Sequence, residues 1–151
     1  MADRIILFDI DGTIADCTHR LHHIKGPGPK DWISFFAPDE IAKDTPIQHM
    51  LGLLAAVNGT WPIGFVTGRP KRVKWPTIHW IEHHMRWIGS YSLLMREDHD
   101  RRPSADVKRD HLADMRGRGI EPVMVFEDRA EDAAMWRAEG VPCLHVAEGA
   151  Y

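Results

Sequence analysis

A single stretch near the start decides the fold of this chain: Ile5-Ile6-Leu7-Phe8-Asp9-Ile10-Asp11-Gly12-Thr13. Its apolar residues at 5–8 predict a short strand that is buried on both faces. Two carboxylates, Asp9 and Asp11, follow one residue apart, and Gly12-Thr13 indicates a sharp turn. Ligands of open α/β sheets bind outside the carboxyl ends of the strands. Two acids at such an end repel each other unless a cation or a shared proton compensates, and a hard divalent metal is the simplest compensation.

Outward from this stretch, short apolar runs alternate with helical patterns. The further strand predictions are residues 62–66, 91–95, 123–126 and 143–146. Helices are predicted at 45–59, with Thr45 as the N-cap and Pro46 at the first helical position, and at 76–88, 105–116 and 130–139. This alternation is typical of an α/β fold, in which a parallel sheet of about five strands is flanked by helices.

The stretch from Asp16 to Asp44 interrupts the alternation and is too long for a simple loop. It contains a Gly-Pro-Gly-Pro run at 26–29, followed by aromatic and apolar residues at 32–36. We interpret it as a small cap, or flap, beside the acidic end of the first strand. The expected organisation is one domain over residues 1–151, with residues 16–44 as a small insert.

Composition excludes several classes of protein. The net charge of −3 excludes a chain that is basic overall but leaves room for a local basic groove. Cys17 and Cys143 have no zinc-ligand or CxxC spacing, which indicates free thiols in a reducing compartment. No apolar run approaches a membrane span, and the charged start is not typical of a signal peptide. We therefore expect a soluble, cytoplasmic protein with no membrane partner, and the oligomeric state stays open.

Three further clusters suit phosphate chemistry. Thr67-Gly68-Arg69 follows the second predicted strand, and its hydroxyl, amides and guanidinium can bind phosphate oxygens. Lys108, near the start of a helix, can neutralise a phosphate or orient a carboxylate. Glu127-Asp128-Arg129, with Asp132 just beyond, follows the fourth predicted strand and can complete a metal site begun by Asp9. Each cluster alone also fits a turn, a helix cap or a solvated side chain, but their joint occurrence favours catalysis.

The four clusters match, in order, the motifs of the haloacid dehalogenase (HAD) superfamily of Mg²⁺-dependent phosphotransferases, which the chain resembles over essentially its whole length. The resemblance implies a Rossmann-like sheet and an aspartyl-phosphate mechanism, with Asp9 as the nucleophile and Asp11 as the acid and base. It also implies that Thr67 and Lys108 hold the transferring phosphoryl oxygens. Mg²⁺ would bind the Asp9 carboxylate, the Asp11 backbone carbonyl and the Asp128 carboxylate.

Within that superfamily the chain resembles the phosphatase domains of bacteriophage polynucleotide kinase-phosphatases, which remove 3′-phosphates from nucleic-acid ends. Two arginines carry this resemblance by their spacing, because Arg20 follows Asp11 by nine residues and Arg96 precedes Lys108 by twelve. The C-terminal run at 127–149 is also similar. The resemblance implies substrate contacts for four residues: Arg20, Gly68, Arg69 and Arg96.

The chain departs from the phage domains at two positions near the site. Glu127 stands in place of an aspartate, and Ser104 in place of an acid. Glu127 and Asp132 are expected to support the metal ligands and the lysine from behind. Because Glu127 stands in place of an aspartate, its supporting role stays open. No Gly-x-x-x-x-Gly-Lys-Ser/Thr phosphate loop occurs, so no kinase half is expected in this chain.

Basic and aromatic side chains beside the site leave the substrate open. The insert contains Arg20, Lys30 and Trp32, and a basic run at 69–74 precedes Trp75. These residues suit nucleotide or strand binding by charge and stacking, and they also suit a polar flap and a solvated loop. The first hypothesis is a phosphatase of nucleic-acid 3′ ends. The alternative is a phosphatase of free nucleoside monophosphates, and a remote one is a non-catalytic HAD-like binding module.

Overall fold

The computed structural model describes residues 3–149. The strands of that range are, in chain order, β1 (Asp3–Phe8), β2 (Ala15–Asp16), β3 (Thr45–Pro46), β4 (Ile63–Pro70), β5 (Tyr91–Arg96), β6 (Ile120–Glu127) and β7 (Cys143–His145). Its α-helices are α1 (Trp32–Phe35), α2 (Pro38–Ile41), α3 (Gln48–Val57), α4 (Lys74–His84), α5 (Ser104–Gly117) and α6 (Ala130–Ala138). None of these helices has the length and apolar character that a bilayer span requires.

Within the described range, five strands form one parallel sheet in the order β5-β4-β1-β6-β7. Strand β1 lies at the centre, between β4 and β6. Its last four residues are all buried, as the apolar run predicted. The predicted α/β class, with a parallel sheet of about five strands flanked by helices, is therefore confirmed.

The core has two halves, one on each face of the sheet. The pleat of β1 directs alternate side chains to opposite faces. Ile6 and Phe8 pack in the half that contains buried residues of α3 and α4. Ile5 and Leu7 pack in the half that contains buried residues of α5 and α6. This double burial holds β1 in place, and with it the acidic residues that follow.

Residues 16–44, which we call the cap segment, contain a 3₁₀ helix at 18–23 and the short helices α1 and α2. They have a small apolar core of their own, formed by Cys17, Leu21, Ile24 and Phe35. Strands β2 and β3 pair antiparallel at the two ends of the segment. This pairing brings the two ends of the cap segment together.

One helix start was predicted wrongly. Helix α3 begins at Gln48 after Ile47, which makes no side-chain capping bond. Thr45 and Pro46 form β3 instead, with Thr45 opposite Asp16. A Thr-Pro pair suits a helix start locally, but the long-range pairing that closes the cap segment takes precedence here. The other three helices are confirmed, with ends that differ by a few residues.

Candidate active site

The predicted site residues meet at the carboxyl end of the sheet. Asp9 and Asp11 follow β1, Thr67 lies in the last half of β4, and Asp128 follows β6. Because these three parallel strands are neighbours, their ends lie side by side. Lys108 reaches the same place from the second turn of α5, and its side chain is buried there.

Lys108 joins three carboxylates in the floor of the site, and we call this group the lysine cluster. Its Nζ lies 3.1 Å from Asp9 Oδ1, 2.7 Å from Glu127 Oε2 and 2.8 Å from Asp132 Oδ2. Ser104 Oγ donates to the same Asp132 oxygen at 2.7 Å. Burial opposes the charged lysine, but the three acids hold the pKa of Lys108 well above its ordinary value. The ammonium therefore stays charged beside Asp9.

The acids around Asp9 carry more negative charge than Lys108 balances. Asp9, Glu127 and Asp128 offer carboxylate oxygens that all lie within 4.8 Å of one another. Burial, with the charges of Asp9 and Glu127, raises the pKa of Asp128 to about 9, and burial with Asp9 raises the pKa of Glu127 to about 8. In the described part of the chain, Asp128 Oδ1 and Glu127 Oε1 are buried without a hydrogen-bond partner. Unpartnered oxygens and surplus negative charge fit a hard divalent cation.

Gly12 makes room for Asp128. Its φ of +81° lies in the left-handed region, where side chains with a Cβ are strained. A Cβ at this position would also overlap with Asp128 Oδ2. The turn after Asp11 therefore needs glycine both for its backbone conformation and for the space that Asp128 occupies.

We expect Gly12→Ala to weaken divalent-cation binding by about 10- to 100-fold, because the new methyl group displaces Asp128. Titration of the cation, followed by its effect on the Tm, measures this. Gly59→Ala is the matched control, since Gly59 has a similar φ of +86° and open space around its Cβ position. Equal cation responses in the two variants would show that Gly12 does not act through Asp128.

Asp11 has a different environment from Asp9, in a group that we call the arginine cluster. Arg20 Nη2 and Arg69 Nη2 each donate to Asp11 Oδ1 at 2.6 Å. Asp44 accepts from Arg20 Nε and from Arg69 Nη2, both at 2.8 Å. All four side chains are buried. Two cations and two anions thus form a group whose charges balance.

The two arginines keep Asp11 ionised. Burial favours the neutral carboxyl, yet Arg69 and Arg20 lower the pKa of Asp11 to about 2. For Asp9 the outcome is the reverse, because burial raises its pKa above the ordinary value in spite of Lys108. Two carboxylates whose environments push their pKa values apart are typical of acids with separate chemical roles.

Arg20 and Arg69 lie behind Asp11 rather than in the open cleft. Both side chains are fully buried, and their guanidinium groups are bound to Asp11 and Asp44. Arg20 also donates to the carbonyl of Phe35 at 3.0 Å, within the cap segment, so its bond to Asp11 joins the cap segment to the site. In this arrangement the two arginines hold the acid/base candidate. Their predicted contact with substrate stays a prediction.

Sequence reasoning did not single out Asp44, the last residue of the cap segment. Besides the two arginines, His19 Nε2 lies 2.9 Å from Asp44 Oδ1, and Trp80 Nε1 donates to its carbonyl at 2.8 Å. The sequence carries no local signal for this role, because the two arginines that require a second buried acid meet Asp11 only in the folded chain.

The other predicted residues have distinct positions. Thr67 is buried, and its Oγ1 accepts from the Arg69 amide at 3.1 Å. Gly68 lines the cleft, and its carbonyl accepts from Arg96 Nε at 3.1 Å. Arg96 also donates to the carbonyl of Arg102 at 2.7 Å. Arg96 therefore ties the loop before α5 to β4 and lines the cleft at the same time.

A cleft of about 760 Å³ opens above Asp9, Asp11 and Lys108. Its volume is in the range of sites that bind small molecules, roughly 300–1,000 Å³. The cap segment and the loops that follow β4 and β5 provide its walls: Lys30, Asp31, Trp32, Ile33, Phe36, Arg72, Asp98, Asp100, Arg101 and Arg102. Asp9, Asp11 and Lys108 thus line one cleft together with the cap segment, whereas Thr67 lies buried outside its lining.

Solved structures of hydrolases from the haloacid dehalogenase superfamily share this fold. A HAD-like family hydrolase from Streptococcus pneumoniae superimposes with a TM-score of 0.68 at 16% identity, over 99% of this chain and 88% of its own. The class C acid phosphatase from Bacillus anthracis, with tungstate bound, gives 0.66 at 14% identity, over 100% and 69%. At these identities the likeness concerns the fold.

The profile of the polynucleotide kinase PNKP phosphatase domain matches residues 3–151, so the chain belongs to this phosphatase family. A chain of the Pnkp1/Rnl/Hen1 RNA repair complex superimposes with a TM-score of 0.74 at 20% identity, and a second structure of the complex gives 0.79, also at 20%. The matches cover 99% of this chain but only 44% and 47% of those chains. No curated protein sequence matches the chain. The resemblance that the motifs indicated is confirmed.

Proposed function

We propose that this phosphatase is a Mg²⁺-dependent phosphomonoesterase that forms an aspartyl-phosphate on Asp9 and acts on 3′-phosphorylated nucleic-acid ends. The contrast between Asp9 and Asp11 carries the proposal. Asp9 lies beside Lys108 and surplus acids, whereas Asp11 is held between two arginines. Two comparisons support the choice of substrate. The family is that of the polynucleotide kinase PNKP phosphatase domain, and a structurally similar chain belongs to an RNA repair complex.

In the first step, an Asp9 oxygen attacks phosphorus and the bond from phosphorus to the 3′ oxygen breaks. Lys108 Nζ, 3.1 Å from Asp9 Oδ1, offsets the negative charge of the incoming phosphate. The leaving alkoxide takes a proton from Asp11. Asp11 rests ionised, with a pKa of about 2, so it first takes up this proton from water as the substrate binds, because the approaching phosphate dianion raises its pKa.

In the second step, water attacks the phosphorus of the aspartyl-phosphate. Asp11, now ionised, takes a proton from that water, and the bond to Asp9 breaks to release inorganic phosphate. Arg20 and Arg69 stabilise the ionised Asp11 that this step requires. Because both arginines are also held by Asp44, they fix the position of the carboxylate in both steps.

The residues that would hold Mg²⁺ are Asp9, Asp128 and the backbone carbonyl of Asp11, with Glu127 within reach of the same place. Bound there, Mg²⁺ supplies positive charge to the transferring phosphoryl oxygens. Two features of the chain prepare this position for a cation. Gly12 leaves the space that Asp128 occupies, and the lysine cluster fixes Asp9.

We expect Mg²⁺ to raise the Tm more at about pH 8.5 than at about pH 5.5. Without metal, the folded protein binds protons at Asp128 and Glu127 more tightly than the unfolded chain, since their pKa values are raised to about 9 and 8. This contribution to stability is complete below the ordinary carboxyl pKa of about 4 and is lost as the pH rises through 8 to 9. Mg²⁺ binds the ionised carboxylates, so its stabilising effect grows over the same range. Thermal unfolding with EDTA or Mg²⁺ measures it.

Asp128→Asn provides the control for this effect. Its amide removes one buried negative charge, so the variant in EDTA should be at least as stable as the wild type at about pH 8.5. Its stabilisation by Mg²⁺ should shrink. Equal Mg²⁺ shifts at both pH values, or in both proteins, would contradict a metal site at these acids.

A substrate panel tests the proposed function. It compares 3′-phosphorylated DNA and RNA, 5′-phosphorylated oligonucleotides, free 3′- and 5′-mononucleotides and p-nitrophenyl phosphate. We expect the highest kcat/KM on the 3′-phosphorylated oligonucleotides. Hydrolysis of mononucleotides alone would replace this proposal by the nucleotide phosphatase, and no hydrolysis of any phosphomonoester would leave a binding module.

A further inference from the structure

One wall of the cleft is apolar, and we call it the cap wall. It consists of Trp32, Ile33 and Phe36 from the cap segment. The indole of Trp32 stacks on Phe36, with ring centroids 6.0 Å apart and planes 19° from parallel. Ile33 is 70% exposed. An exposed isoleucine beside a rigid aromatic pair, at the edge of a polar catalytic floor, suits the flat apolar face of a ligand.

A second wall is cationic, and we call it the arginine wall. It consists of Arg96, at the end of β5, and of Arg72, Arg101 and Arg102 from the segments after β4 and β5. Together with Lys30 and Arg129, six cations line the cleft outside the catalytic floor, against the three acids Asp31, Asp98 and Asp100, among the residues that the structure describes. Asp110, outside the cleft lining, also pairs with Arg102 at 2.7 Å, so the local excess is +2, in a chain whose net charge is −3. A local excess of positive charge attracts an anion even though the chain as a whole is negative.

The arginine wall is also separate from the pocket for the transferring phosphate. That phosphate meets Asp9 and Lys108 on the floor, and Lys108 is only 2% exposed. Arg72 and Arg101, by contrast, are exposed side chains of the cleft rim. Charges at the rim serve a second anionic group on the same substrate, since one phosphomonoester cannot occupy both places.

We propose that the two walls form a binding site for the unpaired end of a nucleic-acid strand, in which the cap wall stacks on the terminal nucleobase and the arginine wall binds the phosphodiester on its 5′ side. The inference rests on the proposed function and narrows its substrate. A free mononucleotide has no second phosphate, and a paired terminal base cannot stack on the cap wall. Short single-stranded ends therefore bind better than mononucleotides and better than blunt duplex ends.

The experiment measures kcat/KM on a nucleoside 3′-monophosphate, a dinucleotide with a 3′-phosphate, a longer 3′-phosphorylated single strand, a blunt 3′-phosphorylated duplex and p-nitrophenyl phosphate. We expect the main gain, about tenfold or more, between the mononucleotide and the dinucleotide. Arg101→Ala should lower the ratio of strand to p-nitrophenyl phosphate kcat/KM about fivefold, and should reduce the slope of log affinity against log salt by about 0.7. Ile33→Asp should lower the same ratio. Arg118→Ala, an exposed arginine paired with Asp114 at the end of α5, should change neither quantity.

The outcomes separate the inference from the proposed function. Any of three outcomes would overturn the two-wall site: a dinucleotide no better than the mononucleotide, a blunt duplex as good as the single strand, or equal behaviour of Arg101→Ala and Arg118→Ala. Cleavage of the mononucleotide would still leave the proposed function in place. If the wild type cleaves no 3′-phosphate, the proposed function fails. In that case the two-wall site is tested by binding instead of turnover. Fluorescence anisotropy then measures the affinity of a labelled 3′-phosphorylated strand for Asp9→Asn protein that also carries Arg101→Ala or Arg118→Ala.

Discussion

Asp9→Asn is expected to abolish turnover and to leave the fold intact. A neutral amide cannot act as the nucleophile, and the loss of a nucleophile lowers kcat by roughly four to six orders of magnitude. Stability should not fall, because Lys108 keeps its contacts with Glu127 and Asp132 and the surplus of buried negative charge decreases by one. We therefore expect a Tm equal to or above that of the wild type.

Steady-state kinetics and acid-quench trapping measure this effect. With a phosphate-labelled substrate, the quenched wild type should carry covalent label and Asp9→Asn should carry none. Asp3→Asn, at the exposed start of β1, makes the same chemical change far from the site and should keep full activity. Wild-type rates in Asp9→Asn, with the fold verified by circular dichroism, would sink the aspartyl-phosphate mechanism.

Arg20→Ala is expected to lower the free energy of unfolding by about 3–5 kcal/mol. The change leaves Asp11 and Asp44, both buried, with Arg69 as their shared cation in the arginine cluster. For a domain of this size the Tm should fall by on the order of 10 °C. Activity should fall as well, because Asp11 loses one of the two groups that fix its position and keep it ionised.

Chemical denaturation with matched variants tests this expectation. Arg118→Ala removes an exposed arginine and should change the free energy of unfolding by less than about 0.5 kcal/mol. Arg20→Ala in an Asp44→Ala background should be less harmful than in the wild type, since one buried cation and one buried anion then leave together. A loss below about 1 kcal/mol in the single variant would show that the arginine cluster does not hold this part of the fold together.

Much of the fold was predictable because its signals are local. The apolar runs predicted all five strands of the main sheet, and the reason is clearest for β1 and β4, since a strand buried on both faces must be apolar throughout. The meeting of the acids after β1 and β6 was also predictable, because neighbouring parallel strands bring their carboxyl ends together. The start of α3 was not predictable, because Thr45 and Pro46 pair as a strand with Asp16 and Ala15 at the other end of the cap segment.

The order of motifs along the chain therefore determined the class of fold and the chemical type of the site. The tertiary structure decided which charges pair. Asp9 and Asp11, separated in sequence by a single residue, belong to different buried groups, one around Lys108 and one around two arginines. Asp44 enters the second group from 33 positions beyond Asp11, at the end of the cap segment. The physical reason is that the energy of a buried charge depends on the partners within a few ångströms of it, and only the folded chain brings those partners together.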